Sequence, residues 1–133
     1  ESYTLNSIEN DILRVEFADP RIHAAINCAS VGCPRLEASA FFAEGIETKL
    51  DAVMARFLNE YRNVTIDATN KTVTLSKILD WFESDFTGWY NAKFGVADAE
   101  VLDYVALYIK EGFETTWKVR YYSYDWSLND QKR

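Results

Sequence analysis

Between Ala43 and Ser76 the chain reads AEGIETKLDAVMARFLNEYRNVTIDATNKTVTLS, and a change of period inside this stretch decides the fold class. Ile46, Leu50, Val53, Met54, Phe57, Leu58 and Tyr61 recur at steps of three and four, the apolar stripe of an amphipathic helix. Glu44, Glu47, Lys49, Asp51, Arg56 and Glu60 fall on the other faces, which predicts a helix from about Ala43 to Tyr61. Beyond it the period drops to two. Val64 and Ile66 alternate with Thr65 and Asp67, and Val73 and Leu75 with Thr72 and Thr74. The polar run Ala68 to Lys71 separates them, so 64–75 reads as a β-hairpin.

Working downstream, Ser76 is placed to cap a helix through Phe86, with Ile78, Leu79, Phe82 and Phe86 inward. Asp98 caps another, carrying Val101, Leu102, Val105 and Ile109 on its apolar face, and Gly112 ends it. Lys118 to Trp126, with Val119, Tyr121, Tyr122, Tyr124 and Trp126, has the aromatic content of a strand. Upstream, Ile8, Ile12, Leu13 and Val15 suit a short helix over Ser7 to Val15, broken at Asp19-Pro20. Arg21 to Cys28 fits two patterns. A strand puts Ile22, Ala24, Ile26 and Cys28 on one face and His23, Ala25 and Asn27 on the other; a helix aligns His23, Asn27 and Ser30. The shortness of the run and the turn at Gly32 favour the strand. With neither repeat nor linker, residues 1–133 form one compact α+β domain: several amphipathic helices packed on a small sheet that includes the hairpin.

Composition narrows the function. The 133 residues carry 21 acids against 14 bases, a net charge of −7 that repels phosphate backbones and excludes nucleic acid as a partner. No apolar run approaches the roughly 18 residues needed to span a bilayer, so membrane insertion is not expected. Aromatic residues make up 15% of the chain, enough to supply both core and a recognition surface.

Reactive side chains concentrate in one place, His23-Ala-Ala-Ile-Asn27-Cys28-Ala-Ser30-Val-Gly32-Cys33-Pro34, which holds the sole histidine and both cysteines. Pro34 favours a first helical position and so puts Cys33 at a helix N-cap, where backbone N–H groups would lower its pKa. His23 and Asn27, on the other face from Cys28, have the composition of a base and an orienting amide in Cys-His-Asn chemistry. The same residues have structural uses. Cys28 and Cys33 can close a small disulfide, which an exported protein favours over a catalytic thiol, or stay as buried thiols in a reducing compartment. A lone histidine is more often a hydrogen-bonded core residue than a catalyst. Three ligands at this spacing do not make a zinc site, and the cysteines are too far apart for a thioredoxin-type motif, so no metal and no cofactor is expected. Glu83 and Asp85, beside Trp81, Trp89 and Tyr90, could line a carbohydrate cleft but read better as a solvated helix face.

The run Asp19-Pro20-Arg21-Ile22-His23 through Asn27-Cys28-Ala29-Ser30-Val31-Gly32-Cys33-Pro34 is followed by Phe57-Leu58-Asn59, Leu75-Ser76-Lys77-Ile78 and Tyr124-Asp125-Trp126-Ser127-Leu128-Asn129. In this order they resemble the domain-of-unknown-function family 547 over nearly the whole chain. The resemblance implies no activity. It implies export, hence a periplasmic or cell-envelope setting. It also implies an upstream helical segment before Leu5 that this chain lacks, making 1–133 the C-terminal and larger part of a longer domain. An apolar face left bare by that loss favours self-association.

Two functions follow. One is a non-catalytic domain that binds a protein or small-molecule ligand and uses the His/Cys turn structurally. The other is a thiol-dependent hydrolase or acyl transferase with Cys33 as nucleophile, Cys28 as second choice, His23 as base and Asn27 as orienting group.

Overall fold

Three short strands order the computed structural model, which describes residues 2–130. β1 (Val64–Asp67) and β2 (Thr72–Leu75) form the expected antiparallel hairpin, with Val64 opposite Leu75 and Ile66 opposite Val73. Asp67 holds its turn, one carboxylate oxygen accepting from the Asn70 backbone at 3.0 Å and the other from the Asn70 side chain at 2.6 Å. β3 (Lys118–Tyr121) joins the other edge of β2 in parallel, Val119 beside Val73 and Tyr121 beside Leu75. Parallel neighbours need a long crossover. Here it is built from α4 (Lys77–Trp81), α5 (Glu83–Phe94) and α6 (Val101–Val105). The last strand is shorter than its aromatic content predicts, because the chain leaves the sheet after Tyr122, whose N–H makes the last bond to Leu75.

The core lies between this sheet, the crossover helices and α3 (Ile46–Asn59). Val53, Met54, Phe57 and Leu58 are the buried stripe of α3 and meet Val73, Leu75, Leu79, Phe86, Leu102 and Val105 in one cluster. Each such side chain stabilises the fold by roughly 1.5–3 kcal/mol on burial. Tyr61, predicted on that stripe, is 79% exposed, because α3 ends at Asn59 and Glu60 is already extended. The fold is α+β, as the change of period implies.

Boundaries in the crossover also differ from the sequence expectation for local reasons. Ser76 does cap α4, its hydroxyl accepting from Ile78 N–H at 3.3 Å. The helix then breaks at Phe82 (φ −114°, ψ 24°) and restarts as α5, which runs past Phe86 to Phe94 and stops at left-handed Gly95. Glu100, not Asp98, stands at the N-cap of α6, where its backbone N–H donates to Asp103 Oδ2 at 2.8 Å.

At the N-terminal end, α1 (Leu5–Ser7) runs into a π-helical segment, Ile8–Phe17, where a short helix is predicted. Thr4 caps it, accepting from Ser7 N–H at 3.0 Å, and no side chain of the π-helical segment is fully buried. The strand favoured for Arg21 to Cys28 is not formed. Its first half is α2 (Ile22–Ala25), nucleated by Asp19-Pro20: Ile22 and His23 N–H donate to the Asp19 and Pro20 carbonyls, each at 3.2 Å. Proline suits a helix start because its φ is already helical and its missing N–H would be unpaired there. Ile22, His23 and Ala24 are therefore all buried, with no alternation of faces.

Candidate functional site

The helical turn at α2 aims His23 toward α5. Its imidazole stacks on Phe82, ring centroids 4.1 Å apart and planes 13° from parallel, and Nε2 lies 2.8 Å from Asp85 Oδ2. Burial disfavours the imidazolium and lowers the His23 pKa, even though the Asp85 hydrogen bond favours the charged form. The imidazole is therefore neutral near pH 7 and donates its Nε2 proton to the carboxylate. Burial alone would raise the Asp85 pKa, but the hydrogen bonds from Arg14 and His23 outweigh it and leave the group more acidic than usual. Arg14 grips both carboxylate oxygens, at 2.7 and 3.1 Å, with its guanidinium 4.8 Å above the Phe82 ring. Asp85 is thus the common acceptor that ties the π-helical segment, α2 and α5 together. Reading acids on an amphipathic helix as a solvated face missed it. No spacing in the sequence links His23 to an acid 62 positions away.

The cysteines have a different neighbourhood. Cys28 and Cys33 stand at disulfide distance, with Cα atoms 5.9 Å apart, which suits a bridge. Cys33 is 1% exposed, and residues 34–37 are not helical, so it is no helix N-cap. Pro34 therefore contributes no dipole to the sulfur. Asn27 brackets the turn: its amide nitrogen donates to the Pro34 carbonyl at 2.9 Å and its oxygen accepts from Ala29 N–H at 3.0 Å. Ala29 takes a left-handed φ of 60°, costing about 1–2 kcal/mol for a residue with a Cβ. Among the described residues no hydrogen bond joins His23 or Asn27 to either sulfur. The four residues singled out in sequence are near one another in the chain but form two separate arrangements, His23 with Asp85 and Asn27 with the cysteine turn.

That turn carries the chain's last described segment. Val31 N–H donates to the Ser127 carbonyl and Gly32 N–H to that of Asp125, both at 2.9 Å. Asn129 N–H returns a bond to the Ala29 carbonyl at 2.8 Å, and Ser30 pairs with Leu128 in an antiparallel bridge. The Tyr124 hydroxyl reaches Ser30 Oγ at 2.5 Å and Cys28 Sγ at 3.3 Å. Arg62 braces the turn from the other side, donating to the Val31 and Cys33 carbonyls at 2.7 and 3.1 Å.

Docked in this way, Tyr124 and Trp126 assemble an aromatic surface with Trp81 of α4. Their ring centroids lie 4.6 Å (Tyr124 to Trp126), 4.8 Å (Trp81 to Tyr124) and 5.5 Å (Trp81 to Trp126) apart. Trp81 is 44% and Trp126 72% exposed. A cleft of about 230 Å³ opens beside Tyr124, lined among others by Gly32, Arg62, Lys77 and Asp125. The sequence predicts a single strand over Lys118 to Trp126, whereas Tyr124 and Trp126 lie beyond β3 and build this surface. Among the described residues no cluster of His, Cys, Asp and Glu is arranged to hold a metal ion, and no helix is long and apolar enough to cross a membrane.

Residues 1–58 match the model of a family described as protein of unknown function, DUF547. The family resemblance is supported over that part, which holds the His/Cys stretch and most of α3; the match does not extend over nearly the whole chain. No curated protein and no solved structure matches the chain.

Proposed function

We propose that the chain is a non-catalytic interaction domain, in which the Cys28–Cys33 turn and His23 serve structure and the surface of Trp81, Tyr124 and Trp126 receives a ligand or protein segment. The observation that carries this is the docking of Tyr124 onto the cysteine turn. It fixes three aromatic rings in one exposed patch, at an ordering cost already met in the folded chain. Contiguous exposed apolar patches mark interaction sites, and preordered aromatic rings give large contact area for little lost entropy. A cleft with both basic and acidic groups beside the rings adds orientation. The cysteine pair at disulfide distance suits an oxidising compartment, in keeping with the exported setting implied by the resemblance.

The hydrolase alternative has less support. Its nucleophile is buried and at bonding distance from a second sulfur, and its base is occupied by a carboxylate on another helix.

Arrays of oligosaccharides and of proline-rich and aromatic peptides, titrated against the oxidised protein, test the proposal. A bound probe should shift the indole NMR signals of Trp81 and Trp126 and lose at least roughly ten-fold in affinity in Trp126→Ala. A probe that binds equally well to Trp81→Ala and Trp126→Ala would overturn the assignment of this surface. So would turnover of a nitrophenyl ester that disappears in Cys33→Ser.

A further inference from the structure

We infer that the Cys28–Cys33 bridge is a redox clasp: reduced by an external dithiol, it releases the segment after Tyr122 and dismantles the aromatic surface while the core stays folded. This rests on the proposed role of that surface, and adds its control.

The two sulfurs are placed unequally. Cys33 is buried, whereas Cys28 is exposed, its Sγ lying 3.6 Å from the Ser30 hydroxyl and 3.3 Å from that of Tyr124. A dithiol's thiolate therefore has access to Cys28 Sγ. Attack there forms a mixed disulfide and breaks the Cys28–Cys33 bond, with Cys33 leaving as a thiolate that takes a proton from water. The reagent's second thiolate then displaces Cys28, which is protonated in turn, and the reagent ends as its own disulfide. Two electrons and two protons pass to the cystine.

What the bridge holds is local. Residues 29–32, enclosed between the cysteines, provide the backbone partners of Asp125, Ser127, Leu128 and Asn129. Upstream of them the chain is tied to the sheet only as far as Tyr122, whose N–H donates to the Leu75 carbonyl at 2.9 Å. Ala29 keeps its left-handed backbone inside this short ring, a conformation that an alanine leaves when the constraint is lifted. Relaxation at Ala29 turns the 29–32 backbone away from its partners. Side-chain burial holds the segment weakly, since Trp126 is mostly exposed and Tyr124 is only partly buried against the core cluster. The buried cluster of α3, α4, α5 and β2 includes neither cysteine, so it keeps its packing.

Hydrogen exchange read by NMR on the full chain, oxidised and then reduced with dithiothreitol, decides this. Expected on reduction is a rise of at least roughly ten-fold in exchange at Val31, Gly32 and Asn129, with Val73 and Leu75 unchanged and full recovery on reoxidation. Chymotryptic cleavage after Tyr124 and Trp126 should quicken in parallel. Cys28→Ser should show the loosened pattern without reductant and ignore dithiothreitol. Equal protection of Val31, Gly32 and Asn129 in both redox states, or loss of protection at Val73 and Leu75 together with them, overturns the clasp. These readouts need no ligand. A failed clasp thus leaves the aromatic surface standing, and failure of every probe on the oxidised protein leaves the clasp standing.

Discussion

Tyr124 occupies the space that a side chain at Gly32 would need. A Cβ built on Gly32 would lie 2.8 Å from Tyr124 Cε2 and 2.9 Å from Cδ2, closer than real Cβ contacts come. The glycine between the two cysteines is thus what lets the last aromatic segment lie against the turn, a packing demand and not one of backbone sign.

Gly32→Ala should push the Tyr124 ring out of its seat and break its contact with Ser30. The expected loss is about 1–3 kcal/mol of stability if the ring cannot move, and less if it swings outward. Where the ring swings outward, its contact with Trp81 is lost as well. Near-ultraviolet circular dichroism, which reports the packing of aromatic rings, should change while the far-ultraviolet signal holds.

The His23–Asp85 pair sets a pH dependence. The folded His23 titrates below its ordinary value of 6.5, because burial penalises the imidazolium. Between that lowered value and 6.5 the unfolded chain binds more protons, so stability falls as pH drops through this window. Asp85, also shifted down, adds a second loss as pH falls below 3.8. Urea midpoints measured from pH 8 to pH 4 should therefore decline below about 6.5 in the wild type. His23→Gln should remove that first decline; an unchanged profile in the variant would contradict the assignment.

Arg14 is the link that fastens the N-terminal π-helical segment, which buries no side chain fully. Arg14→Ala should cost the whole protein about 1 kcal/mol or less, as the pair is partly exposed. Amide exchange across Ile8–Phe17 should rise well beyond that, while α3 keeps its protection. Equal effects on both would mean that the segment is part of the cooperative core.

Surface and core should separate cleanly in a pair of alanine variants. Trp126→Ala should leave stability within about 0.5 kcal/mol. Leu58→Ala, fully buried in the wild type, should cost about 2–5 kcal/mol. Chemical denaturation gives both values, and a Trp126→Ala loss comparable to that of Leu58→Ala would mean the ring is part of the fold and not a free surface.

What the sequence shows is governed by how local the deciding forces are. The period change between Tyr61 and Val64 is local, and it placed α3, the hairpin and the Ser76 cap. Alternation over Arg21 to Cys28 predicts a strand, but the helix-starting geometry of Asp19-Pro20 wins over four residues. Cys33 lost its expected helix because Pro34 permits a helix start but does not compel one. The Arg14–Asp85–His23 contact joins residues 71 and 62 positions apart, beyond the reach of any spacing pattern. Tyr124 and Trp126 looked like strand residues by type. They left the sheet because residues 29–32 offered their segment other backbone partners, a long-range fact.

The structural role of the cysteine turn is tested most directly by alkylating the native protein without reductant and mapping its peptides by mass spectrometry. The expected result is a peptide in which Cys28 and Cys33 are linked, lighter by two hydrogens than the dithiol, with no adduct on either sulfur until dithiothreitol is added. A free Cys33 that alkylates rapidly in the folded protein, at a pH well below that of an ordinary thiol near 8.5, would contradict it.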